Sequence, residues 1–251
     1  MSRVYSLSKI AKPVGSGVSK SYWLELFAVG KNSGNCHFTV ANEFICARLG
    51  SFLGLPIPPF ALLQQKGRAD VWFGSIDYNL TGQSLPPIDP VDCVSEFPEL
   101  STGIILFDVW IANTDRHAGN LNMDTSPGKP VRLNVFDHSH ALFRFDGEAR
   151  TNQLIDEFAI TEKTETGANR HCLIDDLNTA DFFEKWHKKF DQLPDFLIEE
   201  TCATTVETGI LSSAESATAI NFLKQRKLRL RDFIKQNRNE FKSIDPWPLF
   251  I

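Results

Sequence analysis

The chain has 251 residues, 42% of them hydrophobic and 23% charged, with a formal net charge of −5. That mix is too apolar for a disordered chain, and the length suffices for one large domain or two small lobes with proper cores. The acidic balance argues against a surface built to grip nucleic-acid phosphates, and five scattered cysteines without a CxxC pair argue against a zinc ribbon or disulfide scaffold. Residues 1–12 lack the apolar run of a signal peptide. The longest apolar stretch, 103–112, is interrupted by Asp108 and falls far short of the ~20 residues of a membrane helix. The expectation is a soluble, cytoplasmic protein with reduced, mostly buried thiols, no membrane contact and no direct nucleic-acid binding.

In chain order, residues 13–21 (Pro-Val-Gly-Ser-Gly-Val-Ser-Lys-Ser) form a Gly/Ser loop. Residues 22–27, aromatic and apolar, suggest a strand, and 30–35 are turn material. Phe38, Ala41, Ile45, Leu49 and Phe52 recur at helical spacing, and Gly54 and Pro56 stop that helix. Residues 60–63 and 71–73 suggest two more strands. A Pro-rich passage at 85–91 suggests the boundary between a small β-rich N-lobe, 1–80, and a mostly helical C-lobe, 81–251. Residues 96–112 read as one helix, and 121–136 as a hairpin whose turn is Thr125-Ser126-Pro127-Gly128. From about Asp175 the pattern is helical, ending in an amphipathic helix over 217–241 with a basic stripe of Lys224, Lys227, Arg231 and Lys235. The fold class expected is α+β and bilobal.

The chemistry concentrates after the buried 96–112 segment. Residues 113–120 read Asn113-Thr114-Asp115-Arg116-His117-Ala118-Gly119-Asn120, and a second acidic residue, Asp137, ends the 131–136 strand. Short polar residues commonly cap a helix end, but this arrangement also fits phosphoryl transfer from Mg-ATP. There a carboxylate meets the attacking hydroxyl, an Asn five residues later reaches a magnesium ion, and a carboxylate after a hairpin completes the metal site. Asp115, Asn120 and Asp137 stand at those places.

The order Asp-Arg-His, and Ser139 where an ordinary protein kinase has Gly, set the chain apart from that group. It resembles instead the HipA-like kinases, atypical kinases related in fold to the phosphoinositide lipid kinases. The resemblance lies in FDVWIANTDRHAGNLNM (107–123) and VFDHSHALF (135–143), with weaker matches in VANEFICARLGSFLGLPIP (40–58), VWFGS (71–75) and FLKQRKLRL (222–230). It implies a bilobal kinase-like fold and transfer of the ATP γ-phosphate to a Ser or Thr hydroxyl on a protein substrate, with ATP and Mg²⁺ as cofactors. By position it implies Asp115 as catalytic base or hydroxyl-orienting residue, His117 supporting the loop or approaching the γ-phosphate, Asn113 bracing the loop, and Asn120 and Asp137 on Mg²⁺. Glu43 would pair with a phosphate-binding lysine. The nucleotide would lie against residues 71–77, including Ser75. The resemblance also implies a neutralising protein partner of antitoxin type.

The phosphate-binding lysine is the departure from that pattern. The 22–27 strand carries Glu25, not Lys. Lys31, twelve residues before Glu43, lies in turn-like sequence and is favoured slightly over Lys20 in the Gly/Ser loop. Gly15, Ser16 and Gly17 would cover the phosphates with backbone N–H groups if that loop is more than flexible, and Ser16, Ser19 and Ser21 are weak phosphorylation candidates. It is not a Walker loop, which would need Gly at positions 14 and 19. Two alternatives stay open. Without a usable lysine the protein would be a pseudokinase that binds a nucleotide or a partner. With Asp115, His117, Asp137, His138 and His140 as ligands it would be a metal-dependent hydrolase. His37, His171 and His187 read as surface or packing residues, and Trp23, Trp72 and Trp110 as core.

Overall fold

The computed structural model describes residues 8–15, 19–34, 36–77, 86–124, 131–144, 147–164 and 167–247. Ser16, Gly17 and the 125–128 turn therefore lie outside the described residues. Two short strands come first, β1 (Lys9–Pro13) and β2 (Tyr22–Glu25), paired antiparallel and exposed along their length. Then follow β3 (Ala28–Lys31), α1 (Thr39–Leu53), β4 (Phe60–Gln64) and β5 (Val71–Ile76). β3, β5 and β4 form an antiparallel sheet in that order.

Its register pairs Val29 with Ser75, Lys31 with Phe73, Phe60 with Ser75 and Leu62 with Phe73. Side chains alternate across a strand, so Val29, Lys31, Phe60, Leu62, Phe73 and Ser75 share one face. That face looks toward α1, with Phe60 edge-on to Phe44 and stacked on Phe73. On the other face Leu63 lies across Gly74, where a Cβ would come within 2.4 Å of Leu63 Cδ1. α1 is buried almost all round, between the sheet and a later helix, and ends at Gly54 in the left-handed region (φ 83°), whose N–H reaches the carbonyls of Gly50 and Ser51. Lys31 is the last residue of β3, so the expectation of turn structure from Gly30 onward holds only beyond it. Ladder bonds to β5, absent from local sequence, make Gly30 and Lys31 strand.

The helix expected over 96–112 is α3 (Pro98–Ile111), and a separate short helix, α2 (Pro90–Glu96), precedes it in the passage expected to be a Pro-rich boundary. Pro98 disfavours helical geometry at the preceding residue, and Phe97 accordingly sits at φ −130°, ψ 55°. Asp89 caps α2, its side chain accepting from Val91 and Asp92 N–H, with Pro90 at the first helical position. α3 is buried from Ser101 to Ile111 and ends at Ala112, which takes a left-handed conformation (φ 52°). The hairpin β6 (Leu121–Asp124) and β7 (Arg132–Val135) follows as expected. α4 (Gly147–Leu154) and the hairpin β8 (Thr161–Thr164) and β9 (Gly167–Arg170) were not legible in the sequence. α5 (Phe183–Gln192), α6 (Asp195–Glu207) and α7 (Ser213–Gln236) complete the helical part, α7 starting from a Ser212/Glu215 capping box.

α3 is the axis of the helical part, packed against α5 and α7. Trp110 is fully buried, but Trp23 is 58% exposed on the free β1–β2 hairpin, against the expectation of a core residue. The stripe on α7 is neither a free solvated face nor an open surface. Lys224 pairs with Glu199 and Asp195, Lys227 with Asp195, and Arg231 with Glu184 and Asp191, tying α7 to α5 and α6; Lys235 alone is exposed. The five cysteines are free thiols. Among the described residues no helix is long and apolar enough to cross a membrane.

Candidate active site

Beneath the three-stranded sheet lies a cavity of about 730 Å³, mouth included. Val29, Ala47, Ile57 and Phe73 make it apolar on one side; Lys31, Glu43, Ser75 and Asp137 are among its polar lining. Three elements converge at its polar end. β3 delivers Lys31 from its last position, α1 delivers Glu43 from its buried first half, and the segment after β7 delivers Asp137. Lys31 Nζ lies 2.6 Å from Glu43 Oε1 and 2.7 Å from Asp137 Oδ1. The lysine that the sequence left in doubt thus stands between the two carboxylates expected at a phosphate site. Burial opposes its charge, but Glu43 and Asp137 outweigh burial and raise its pKa.

Asp137 is held from several directions. It adopts a left-handed backbone (φ 60°), uncommon for a non-glycine residue and concentrated at functional sites. Its Oδ1 also accepts from Ser139 Oγ at 2.7 Å. Burial would raise its pKa, yet Lys31 and the Ser139 hydroxyl bring it well below the usual carboxylate range. The next residues are anchored to α1: His138 N–H donates to Glu43 Oε2 (3.1 Å), and Asn42 Nδ2 donates to the Ser139 carbonyl (2.8 Å). Glu43 therefore joins the lysine and the 137–139 segment in one network.

The 113–120 loop leaves α3 through Ala112 and is wired internally. Asp115 N–H donates to Asn113 Oδ1 (3.3 Å), and Asn120 Nδ2 donates to the Asp115 carbonyl (2.8 Å). With its amide nitrogen so engaged, Asn120 has its side-chain oxygen left as the acceptor suited to a cation. Asp115 is half-buried, its Oδ2 3.9 Å from His140 Nε2. His117 is exposed, and its Nδ1 accepts from Gly119 N–H (3.1 Å).

The structure thus brings Lys31, Glu43, Ser75 and Asp137 together on one cavity, and Asn113, Asp115 and Asn120 together in one loop. It does not bring Gly15 or Lys20 to the cavity: both are exposed around the β1–β2 connection, and neither lines it. Sequence reasoning missed Asp108 and His171. Both are fully buried, Asp108 Oδ2 accepts from Arg116 Nε at 2.8 Å, and His171 Nε2 lies 3.1 Å from the same oxygen. A carboxylate inside an apolar helix requires a buried partner, which was the available signal for Asp108. Nothing local marks His171, 63 residues away.

Among the described residues, no three His, Cys, Asp or Glu side chains converge as a metal-binding group. His138 is buried with Nδ1 3.7 Å from Glu43, and His140 faces Asp115, so the two do not converge as ligands. Asp137 offers a carboxylate and Asn120 an amide oxygen, the donor types Mg²⁺ takes in small number from protein, and of the two Asp137 lines the cavity beside Lys31.

The model of a protein family described as HipA-like kinase matches residues 25–218. The crystal structure of a Helicobacter pylori proinflammatory kinase, CtkA, is similar in fold, with TM-score 0.59 and 13% identity over 86% of this chain and 92% of that one. HipA of the Shewanella oneidensis MR-1 toxin–antitoxin system, solved with HipB and operator DNA, aligns at TM-score 0.43 and 13% identity over 94% of this chain and 67% of that one. No curated protein sequence matches the chain.

Proposed function

The chain belongs to the HipA-like kinases, and from that premise we propose that it is a Mg²⁺-dependent kinase transferring the γ-phosphate of ATP to a Ser or Thr hydroxyl on a protein. The observation that carries the reading is Lys31 held at 2.6 Å from Glu43 and 2.7 Å from Asp137. A charged lysine so placed binds phosphate oxygens, with Glu43 fixing its direction. Val29, Ile57 and Phe73 offer apolar walls to a base, and Ser75 sits among them. Asp137 and Asn120 would hold Mg²⁺, which when bound supplies positive charge across the transferring phosphates. Asp115 accepts the proton of the acceptor hydroxyl or orients it, Asn113 braces the loop, and the exposed His117 supports the loop or approaches the γ-phosphate. We assign 1–80 to the N-lobe and 81–251 to the C-lobe. A cytoplasmic location and a neutralising antitoxin-type protein partner complete the proposal. The pseudokinase alternative drew on a missing strand lysine, and the position of Lys31 at the end of β3 supports the active-kinase reading over it.

The test is a thermal-shift titration with ATP and Mg²⁺ beside labelled phosphate transfer. A ligand selective for the native state stabilises it by RT ln(1 + [L]/Kd), about 2.7 kcal/mol at a hundredfold excess over Kd. The magnesium-dependent rise is expected in the wild type and lost in Asp137→Ala. Asp115→Ala should keep the rise and lose transfer. Undiminished transfer in either variant overturns the assignment.

A further inference from the structure

Arg116 is completely buried in the middle of the 113–120 loop, and its guanidinium spans four acceptor atoms on three residues. Nε donates to Asp108 Oδ2 (2.8 Å) and Nη2 to Asp108 Oδ1 (3.1 Å), a two-pronged grip on one carboxylate. Nη1 donates to the Asn120 carbonyl (3.0 Å) and to the Phe136 carbonyl (2.6 Å). Those carbonyls belong to Asn120 itself and to the residue directly before Asp137. One planar group therefore links the backbones carrying the two proposed metal-binding side chains, which flank the open end of the β6–β7 hairpin, where Leu121 pairs with Val135. The Phe136 N–H donates to the same Asn120 carbonyl at 3.3 Å, closing the link.

The anchor of this fork is saturated. Asp108 Oδ1 also accepts from Asn113 Nδ2 (2.9 Å), and Oδ2 lies 3.1 Å from His171 Nε2. Leu173 N–H donates to His171 Nδ1 (3.2 Å), so the imidazole proton sits on Nε2 and points at Asp108. Cys172 N–H donates to the Arg116 carbonyl (2.9 Å), locking the loop from the β9 side. Asp108 lies in the last turn of α3, where the helix dipole is unfavourable to a carboxylate. Four hydrogen bonds on its two oxygens, two of them from the cationic Arg116, offset that cost. An apolar pair would fill the space equally well, but it would not reach Asn120 and Phe136.

We propose that Arg116, held by Asp108 and His171, is the positioning residue that sets the spacing of Asn120 and Asp137, so that the magnesium site is pre-formed by a buried fork with no metal contact of its own. The inference rests on the kinase reading for its metal, but the fork's hold on the two backbones can be measured without one. Arg116→Lys keeps the buried charge and cannot bridge the partners in one plane. Its hydrogen exchange should rise in peptides covering 113–122 and 133–138 and stay at the wild-type level in α1, α3 and α7. Binding of a non-hydrolysable ATP analogue should be unchanged in EDTA. The gain in affinity on adding Mg²⁺ should shrink by about 10–100-fold, the usual effect of losing an outer-shell partner. His171→Gln, which keeps a donor for Asp108, should show the same pattern more weakly and carries the test if Arg116→Lys does not fold. Exchange unchanged in the two peptides, or raised equally throughout the molecule, overturns the proposal. If the wild type binds no magnesium nucleotide, the kinase reading fails while the exchange pattern still decides the role of Arg116.

Discussion

At the residue scale, Lys31 neutralises two carboxylates that would otherwise face each other across the cavity. Asp137 titrates well below the usual carboxylate range because the ammonium is there. Lys31→Met leaves Glu43 and Asp137 to repel, which pushes carboxylate pKa values up rather than down. A group with a raised native pKa stabilises below its unfolded pKa and destabilises as pH rises above it. The deficit of Lys31→Met relative to wild type should therefore be small near pH 3 and grow as pH rises through the carboxylate range to pH 7. About 1–3 kcal/mol is expected at the upper end, the pair being partly solvated. Urea unfolding at the two pH values measures it, and a deficit independent of pH would show that the lysine is not what holds the carboxylates ionised. The same residue shows what the sequence could convey. Asp115, Asn120 and Asp137 were legible because their chemistry is written in local spacing. Lys31 was left in doubt because its strand is four residues long and includes Gly30, and only pairing with β5 makes it a strand.

At the scale of elements, α3 decides how the site is presented. It runs buried through the helical part and delivers Asp108 and the 113–120 loop at its end. Arg226 of α7, also fully buried, donates to the carbonyls of Val109 and Trp110 in the last turn of α3 and to those of Leu154 and Glu157 after it. Burial lowers its pKa to about 9, so the group stays charged at neutral pH and caps the helix with backbone partners in place of a carboxylate. Gly103, earlier in α3, is required by packing. A Cβ there would come within 2.1 Å of Trp186 Cζ2, and Trp186 is itself fixed by Nε1 donating to the Glu99 carbonyl at 2.7 Å. Helix propensity alone predicts that Gly103→Ala stabilises by about 1 kcal/mol. The contact predicts the opposite sign, a loss of about 1–3 kcal/mol from overpacking, and chemical denaturation of the single variant distinguishes the two. α2, only seven residues long and starting in the Pro-rich passage, was not legible, whereas α3 was legible from its apolar second half. α4 and the β8–β9 hairpin gave no such signal, because short elements formed by tertiary contact leave little periodicity in the sequence.

At the scale of the whole molecule, acid should unfold the protein in two stages that report different regions. His187 on α5 is buried, and burial holds its pKa down at about 4, against about 6.5 for a free histidine. The unfolded chain therefore binds a proton that the native state refuses between those values. Stability is full above pH 6.5 and falls as pH drops toward 4. Below that, Asp108 and Asp137 take over, since Arg116 and Lys31 hold their carboxyls ionised in the native state against burial. Their contribution is present above the unfolded carboxylate pKa, near 4, and is lost as pH falls further. The first stage belongs to the helical part and the second to the site itself. His187→Leu removes the first proton and should flatten the loss between pH 7 and 4.5 by about 2–3 kcal/mol, measured by urea unfolding at each pH. Asp108→Asn should leave that upper window unchanged and lower stability at neutral pH, because a buried Arg116 would then lack its counter-charge. A wild-type stability curve flat from pH 7 to 4.5 would remove His187 as its cause and place the whole acid response at the carboxylates of the site.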